Sequence, residues 1–418
     1  MNRILHFLAR YLIGWSVVCG LPLVLLYFAR DLVFIRDTSA LNTTIASSIA
    51  LFLGLYITRQ LFSFPGTRQG NQGIPAVFAG FAIIAGALLL FRIPYSVGLL
   101  AYSLIATAVL MVVRKDLFAS TPRNNFHVVP IGEAASLGDI DGVTLVMMER
   151  PGLPSDPRAS VVADLRANLP AEWERILASA ALRGIPVYHY KLLQESIAGK
   201  VKIEHLSENT LGSLIPDQAY KEIKWVVDRV AAALLLPILL PFLVIVALVI
   251  KLQDGRDVLY RQKRIGLGGK PFTIYKFRSM RPASADEELD GSAASAMTAA
   301  NDVRITRFGS FIRRYRIDEL PQILNILKGE MSFIGPRPEA IPLAEWYERE
   351  LPFYSYRHIV RPGLTGWAQV NQGHVTDLED IDHKLQYDFY YVKYFSAWLD
   401  ILIVLRTARI ILTGFGSK

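Results

Sequence analysis

Two adjacent carboxylates, Asp318 and Glu319, stand in the stretch "RRYRIDELPQILNILKGEMSFIGPRPE", with Arg313, Arg314 and Arg316 within five residues of them. Asp318 occupies the place of an N-cap before an apolar run, and Pro321 suits the first turn, whose amide hydrogens lack internal partners. Capping alone explains most aspartates in such a place. Here the proline removes the donor a cap would use at the third helical position, and Glu319 has no capping duty. The arginines are expected to keep nearby carboxylates ionised, and a helix start adds positive partial charge suited to phosphate. An ionised carboxylate among phosphate-binding groups can attack phosphorus or hold a hard cation.

Further phosphate-ready groups lie nearby in sequence. "YKFRSM" places Lys276 and Arg278 at a strand end, and "NDVRITRFGSFIRR" supplies Arg304 and Arg307. "GPRPE" fixes Arg337 between two prolines, a rigid setting for bidentate contact to phosphate. Taken singly each arginine is an ordinary surface charge. Their convergence on one apolar-flanked segment favours a site.

What would position these groups is partly membrane. The chain has 418 residues, 52% of them hydrophobic, a mean hydropathy of +0.31 and a net charge of +8. That length allows two or three domains. The apolar excess with a basic balance suggests an integral membrane protein facing anionic lipid or phosphate ligands, with no nucleic-acid partner. The single cysteine, Cys19, excludes a disulfide framework and a cysteine metal site.

Four apolar stretches, roughly 11–29, 41–57, 74–91 and 95–113, are each near the ~20 residues that cross a bilayer core. The first follows a basic start but lacks a small-x-small cleavage site, so it reads as a retained transmembrane helix. Arg3 and Arg10 before the first stretch, with Arg114, Lys115 and Arg123 after the fourth, place the N-terminus and everything from residue 114 in the cytoplasm. Residues 123 to about 215 alternate short strands ("FHVVPIG", "VTLVMME", "ASVVADL", "IPVYHY") with the amphipathic helix "PAEWERILASAALRG". They imply a small α/β layer domain. The turn after its first strand offers only Gly132 and Gly138, so this is a degenerate Rossmann-like module without a dinucleotide site.

A further apolar run, about 230–250, has Pro237 and Pro241 at its centre and basic flanks on both sides. A fifth crossing would put one basic flank outside. A helix that enters, breaks at the prolines and returns keeps both inside. "VLYRQKRIGLGGKPFTIYKFRSM" reads as a hairpin turning at Gly268-Gly269, followed by an Ala/Ser-rich loop over 282–300. Near the end, Tyr387, Phe389, Tyr390, Tyr391, Tyr394, Phe395 and Trp398 precede a short apolar helix with Arg406 and Arg409. That composition suits a helix in the headgroup layer.

From about Lys221 onward the chain resembles the bacterial polyprenyl-phosphate phosphoglycosyl transferases, also called bacterial sugar transferases. The stretches that carry the resemblance are the hairpin sequence above, "RITRFGSFIRRYRIDELPQILNILKGEMSFIGPRPE", "RPGLTGWAQVNQG" and "YDFYYVKYFSAWLDI". It implies three parts: a four-helix transmembrane bundle (1–117), the Rossmann-like domain (118–216), and a monotopic catalytic domain (217–418) with a re-entrant helix at about 225–250 and interfacial helices. It also implies an inner-membrane enzyme that moves a sugar-1-phosphate from a UDP-sugar to undecaprenyl phosphate, starting capsule, O-antigen or exopolysaccharide units. Asp318 would be the nucleophile and form a covalent phosphosugar, with UMP released. Glu319 would be base or Mg2+ ligand, both carboxylates standing as metal candidates. Arg337 would contact phosphate, and Gln369, Asn371 and Asp388 would belong to the sugar and nucleotide pocket. Val303 and Tyr315-Arg316-Ile317 depart from the family's pattern and bear on sugar choice. The N-terminal part is a candidate homodimerisation or regulatory module.

Two rival readings exist. Asp139-Ile140-Asp141 or Asp380-Ile381-Asp382 would serve a glycosyltransferase of the Asp-x-Asp type, which releases UDP rather than UMP. A non-catalytic membrane scaffold would have no need of the dyad and its arginines.

Overall fold

In the computed structural model the chain divides into two units, Met1–Ala198 and Gly199–Lys418. The structure describes residues 11–22, 24, 38–61, 73–113, 125–138, 143–156, 159–203, 216–254, 257–281, 304–372 and 377–413. The Ala/Ser-rich loop, Val303 and the triplet 139–141 lie outside these residues.

In the first unit a helical segment at Tyr11–Gly20 and helices α1 (Thr38–Leu61), α2 (Gly73–Leu90) and α3 (Val97–Val113) share one apolar cluster. Val18, Cys19, Leu51, Leu55, Val77 and Phe81 form its centre, with Leu104 and Leu110 packed against it. Small residues let α1 and α2 approach closely: a Cβ on Gly80 would meet the Ala50 carbonyl at 3.0 Å. Of the four expected crossings, only Thr38–Ile57 passes here as long and apolar enough among the described residues. Tyr11–Gly20, Gly80–Leu90 and Val97–Leu110 are shorter apolar helices. The residues flanking the first of them lie partly outside the description.

Strands β1 (Asn125–Val128), β2 (Thr144–Met147), β3 (Ser160–Ala163) and β4 (Val187–His189) form one parallel sheet in the order β2-β1-β3-β4. Helices α4 (Ala171–Leu182) and α5 (Tyr190–Ala198) complete the α/β layer. The order reverses between β1 and β3, where such sheets take ligands. There the Asp164 carboxylate accepts from the Glu133 and Arg166 amides, both at 3.0 Å.

The second unit opens with α6 (Gln218–Asp254), 37 residues and about 55 Å of continuous helix. It runs through Pro237 and Pro241, so the break expected there is absent. The prolines still remove the donors to the carbonyls of Ala233 and Pro237. One stripe of α6, with Lys224, Asp228, Ala232, Leu236, Leu239, Leu243, Val246 and Ile250, faces the unit. The opposite face leaves Leu234, Ile238, Ile245 and Leu252 60–77% exposed. Ala232 packs on Ile274, Ile323 and Met331, while Val246 and Ile250 pack on Phe277 and Ile312. Both halves of the helix therefore lie against the same body. Among the described residues this is the second helix long and apolar enough to cross a membrane.

The hairpin is as expected: β5 (Leu259–Ile265) pairs antiparallel with β6 (Pro271–Phe277), and the turn has Gly268 and Gly269 at φ 65° and 74°. Next come α7 (Arg307–Arg314), a 3-10 turn (Ile317–Gln322), α8 (Ile323–Lys328) and β7 (Ser332–Ile334). Then follow α9 (Ile341–Glu350), a 3-10 segment (Tyr354–Ile359), β8 (Gly363–Thr365), α10 (Trp367–Asn371), α11 (Leu378–Lys393) and α12 (Ala397–Thr413). Strands β7 and β8 pair in parallel.

The aromatic run on α11 corrects the headgroup expectation. Phe389, Tyr390, Tyr391 and Phe395 are buried, as are Leu399, Leu402 and Ile403 of α12. Trp367 stacks on Tyr390 at 5.4 Å, and Arg406 lies over Trp367. The inner faces of these helices form core, while Val404 on the outer face of α12 is 50% exposed. Aromatic and arginine-bearing segments compose a domain interior as readily as an interfacial belt, and only packing separates the two.

Candidate active site

The dyad sits where α7 ends and the chain reverses. Thr306 caps α7 by accepting from the Gly309 amide at 2.8 Å. Gly309 then lies so close to the Ser279 carbonyl that a Cβ would fall 1.9 Å from its oxygen. Arg316, at φ 57°, turns the chain into the 3-10 segment that carries both acids. The cap position of that segment belongs to Arg316, and no side chain caps it. Asp318 therefore is not a helix cap.

Glu319 is 5% exposed and tightly held. Arg337 Nη2 donates to its Oε1 at 2.6 Å and Nη1 to its Oε2 at 3.4 Å. Lys276 Nζ donates to Oε1 at 3.1 Å, and Arg316 Nη1 lies 3.8 Å from the same oxygen. Burial pushes the Glu319 carboxyl up, but Arg337 and Lys276 outweigh it and hold it well below the usual carboxylate range. Such a group is a poor base at neutral pH. Asp318 is different. Its Oδ1 is buried and has no hydrogen-bond partner. Burial and then the Glu319 charge push its carboxyl up to about 6, against the pull of Lys276, Arg337 and Arg313. The arginines do not dominate at this position, contrary to the sequence expectation. Burial brings the Lys276 ammonium down to about 8, against the opposing pull of Glu319.

Two buried networks hold the clamp. Asn325, fully buried, donates to the Thr273 carbonyl at 2.7 Å and accepts from the Tyr275 amide at 3.2 Å, locking α8 to the strand that carries Lys276. The Gly-Pro-Arg-Pro segment is pinned from both ends. Gly335 N donates to the Thr365 carbonyl at 2.9 Å and Arg264 donates to the Pro338 carbonyl at 2.5 Å. Arg357 donates to the Arg337 carbonyl at 2.8 Å. Arg357 in turn pairs with Asp388 at 2.7 Å, and Lys384 pairs with Glu339. Arg264, Asn325, Arg357, Glu339 and Lys384 escape a motif reading. A lone polar residue in an apolar run, such as Asn325 in "ILNILK", is the one signal the sequence offers.

Of the expected residues, Lys276, Arg337, Asp318 and Glu319 come together, with Arg313 close enough to act on Asp318 electrostatically while donating to Met280 Sδ at 3.2 Å. Arg314 is exposed beside the Tyr315 ring, and Arg307 is exposed at the start of α7. The Arg304 carbonyl accepts from the Arg281 amide. Arg278 lines a cleft of about 540 Å³ with Asp257, Tyr260 and Arg261. Gln369 donates to the Leu364 carbonyl, and Asn371 joins Trp367 to Arg406. Asp388 is spent on Arg357. The hydrogen bonds and ion pairs of these three hold the scaffold. Asp380 and Asp382 lie on α11, where Asp382 accepts from Gln386 at 2.8 Å.

No group of three His, Cys, Asp or Glu that could hold a metal occurs among the described residues. The donor set fits Mg2+ in a narrower way. The unpartnered Asp318 oxygen suits a hard cation that takes its other ligands from substrate phosphate and water. Both Glu319 oxygens are already engaged by cations, so its expected place as a metal ligand is not supported by this geometry.

A family model described as bacterial sugar transferase matches residues 219–414. The UDP-N-acetylgalactosamine-undecaprenyl-phosphate N-acetylgalactosaminephosphotransferase of Aeromonas hydrophila is 41% identical over 383 residues, 91% of this chain and 89% of the relative. The UDP-glucose:undecaprenyl-phosphate glucose-1-phosphate transferase of Xanthomonas campestris pv. campestris is 39% identical over 226 residues, 53% of this chain and 45% of the relative. The enzyme of the same description in Escherichia coli (strain K12) is 40% identical over 193 residues, 46% of this chain and 40% of the relative.

Proposed function

The chain belongs to the bacterial sugar transferase family, and from that membership and the dyad's geometry we propose how Asp318 does its work. The protein is a membrane phosphotransferase that moves a sugar-1-phosphate from a UDP-sugar to undecaprenyl phosphate, at the start of surface-polysaccharide assembly. The observation that carries our mechanism is the asymmetry of the dyad: one carboxylate clamped by cations, its neighbour buried with an oxygen unpartnered.

The Asp318 carboxylate attacks the sugar-bearing phosphorus. A bond from its oxygen to phosphorus forms as the bond to the UMP oxygen breaks, and UMP leaves with that electron pair. An oxygen of undecaprenyl phosphate then attacks the same phosphorus and returns Asp318 as a carboxylate. Glu319 keeps Arg337 and Lys276 aimed at the reacting phosphate. Its depressed acidity suits an anchor, not a base. Mg2+, when bound with the diphosphate through Asp318, neutralises pyrophosphate charge.

The similarity to the N-acetylgalactosamine enzyme runs through both units, whereas the glucose enzymes match about half of the chain. We therefore take UDP-N-acetylgalactosamine as the donor. The basic residues at both ends of α6, with two central prolines that each remove a helical hydrogen bond, support a helix that bends in the membrane and keeps both ends at the cytoplasmic face, without the break expected from the sequence. The clustered N-terminal helices read as four crossings of the inner membrane. The α/β part, with Asp164 in its anion cradle, reads as a non-binding Rossmann-like domain, and the N-terminal unit as a dimerisation module. No nucleic-acid partner is expected.

The test uses purified full-length protein in lipid nanodiscs with undecaprenyl phosphate, Mg2+ and either UDP-N-acetylgalactosamine or UDP-glucose. UMP release and a labelled protein adduct are measured. UMP with the first donor, and an adduct lost in Asp318→Asn, is the expected result. UDP release, or an adduct that survives Asp318→Asn, would overturn the mechanism.

A further inference from the structure

Three cations face the single Glu319 carboxylate, and they are not alike. Lys276 and Arg337 have side chains only 14% and 24% exposed and lie within 3.1 Å of it. Arg316 is 52% exposed and stands off at 3.8 Å, beyond direct hydrogen-bond reach. Two fixed cations already satisfy the buried acid. The third is held by an ion pair without a hydrogen bond and can leave toward solvent without stranding a buried charge.

Its backbone adds a second, independent observation. Arg316 adopts the left-handed conformation, φ 57° and ψ 21°, which favours glycine or asparagine over a long side chain. Its carbonyl accepts from the Glu319 amide at 3.2 Å, so this turn sets the direction of the whole dyad segment. A glycine would make the turn with less strain. Strain retained at the mouth of a site points to work done by the side chain.

We infer that Arg316 is a diphosphate-binding residue, which swings from Glu319 onto the pyrophosphate of the incoming nucleotide sugar and stays with the departing UMP. The inference rests on the reading given under Proposed function. A diphosphate brings the excess negative charge that a pocket of three cations and one clamped carboxylate lacks, and a guanidinium reaches two of its oxygens at once. Lys276 and Arg337 cannot follow the leaving group, because both are tied to Glu319 inside the protein. Arg316, on the solvent side, can. It therefore serves the first half-reaction and has no part in the second, when the nucleotide has gone.

The experiment separates the two half-reactions in Arg316→Gln, Arg316→Gly and Arg316→Lys, using full-length protein in nanodiscs. Adduct formation from UDP-N-acetylgalactosamine, inhibition by added UMP, and transfer from preformed adduct to undecaprenyl phosphate are measured separately. Arg316→Gln and Arg316→Gly should raise KM for the nucleotide sugar and weaken UMP inhibition together, each by about tenfold or more for one lost charge-assisted contact. Arg316→Lys should recover part of both, and transfer from the adduct should stay at the wild-type rate in all three. Equal losses in both half-reactions would make Arg316 a structural residue. Wild-type behaviour of Arg316→Gly would make it a turn residue only, and either result overturns the inference. Wild type that releases no UMP would instead sink the proposed function itself.

Discussion

Arg337 Nη2 lies 2.6 Å from Glu319 Oε1, and this pair fixes the polarity of the dyad. Because Glu319 is compensated, the remaining desolvation and like-charge repulsion fall on Asp318. The protein therefore holds Asp318, the nucleophile of the proposed mechanism, in an unfavourable ionised state at neutral pH.

Replacing Asp318 by asparagine should abolish turnover and raise stability. The Asp318 carboxyl titrates near 6 when folded, above its usual value of 3.8, so the native state prefers its protonated form. That contribution is fully present below about 3.8 and is lost as pH rises through about 6. At pH 7.5 the variant should gain about 1–3 kcal/mol, seen as a higher unfolding temperature in nanodiscs. The gain should vanish near pH 4.

The rate of adduct formation should rise with pH through about 6, as Asp318 ionises, and fall above about 8, as Lys276 loses its proton. Rapid-quench measurement of the adduct across pH 5 to 9.5 checks both limbs. A flat profile through pH 6 would remove Asp318 as the titrating nucleophile.

Glu319→Ala leaves Arg337 and Lys276 buried without their partner, and should cost about 3–5 kcal/mol of stability. Glu319→Gln keeps the shape and some hydrogen bonding, so it should cost less stability while still losing most turnover. Thermal unfolding and UMP release, measured side by side, give the two numbers.

Asp388→Ala should act at a distance. Its carboxylate pairs with Arg357 at 2.7 Å, and Arg357 holds the Arg337 carbonyl. The single variant should unfold several degrees lower, because it strands a guanidinium that is only 3% exposed. Pairing it with Arg357→Met should restore part of that stability without restoring full activity, since Arg337 would stay unanchored.

Cysteines placed at Lys221 and at Leu252, in a Cys19→Ala background, should both react with a membrane-impermeant maleimide from the cytoplasmic side only. Labelling from opposite sides would make α6 a true crossing.

The sequence displays the parts that repeat locally. The hairpin follows from its glycines, the parallel strands from their apolar runs, and Asp318, Glu319, Lys276 and Arg337, singled out as charges in three separate stretches, are the ones the fold brings together. Contacts distant along the chain stay hidden. Asn325 locking onto β6, and Arg357 bridging Asp388 to the Arg337 carbonyl, depend on register between segments that no period reveals. The same limit explains two of the differences from the sequence reading. The aromatic run of α11 looks identical whether it meets headgroups or Leu402, and Asp318 resembles a cap until Arg316 is seen to take that position.

Ile317, next to the nucleophile, packs in the same cluster as Val246 and Ile250 of α6. No linker separates the lipid-facing helix from the reacting carboxylate. The fold thus works as a rigid spacer: wherever α6 settles in lipid, Asp318 is carried with it at a fixed offset.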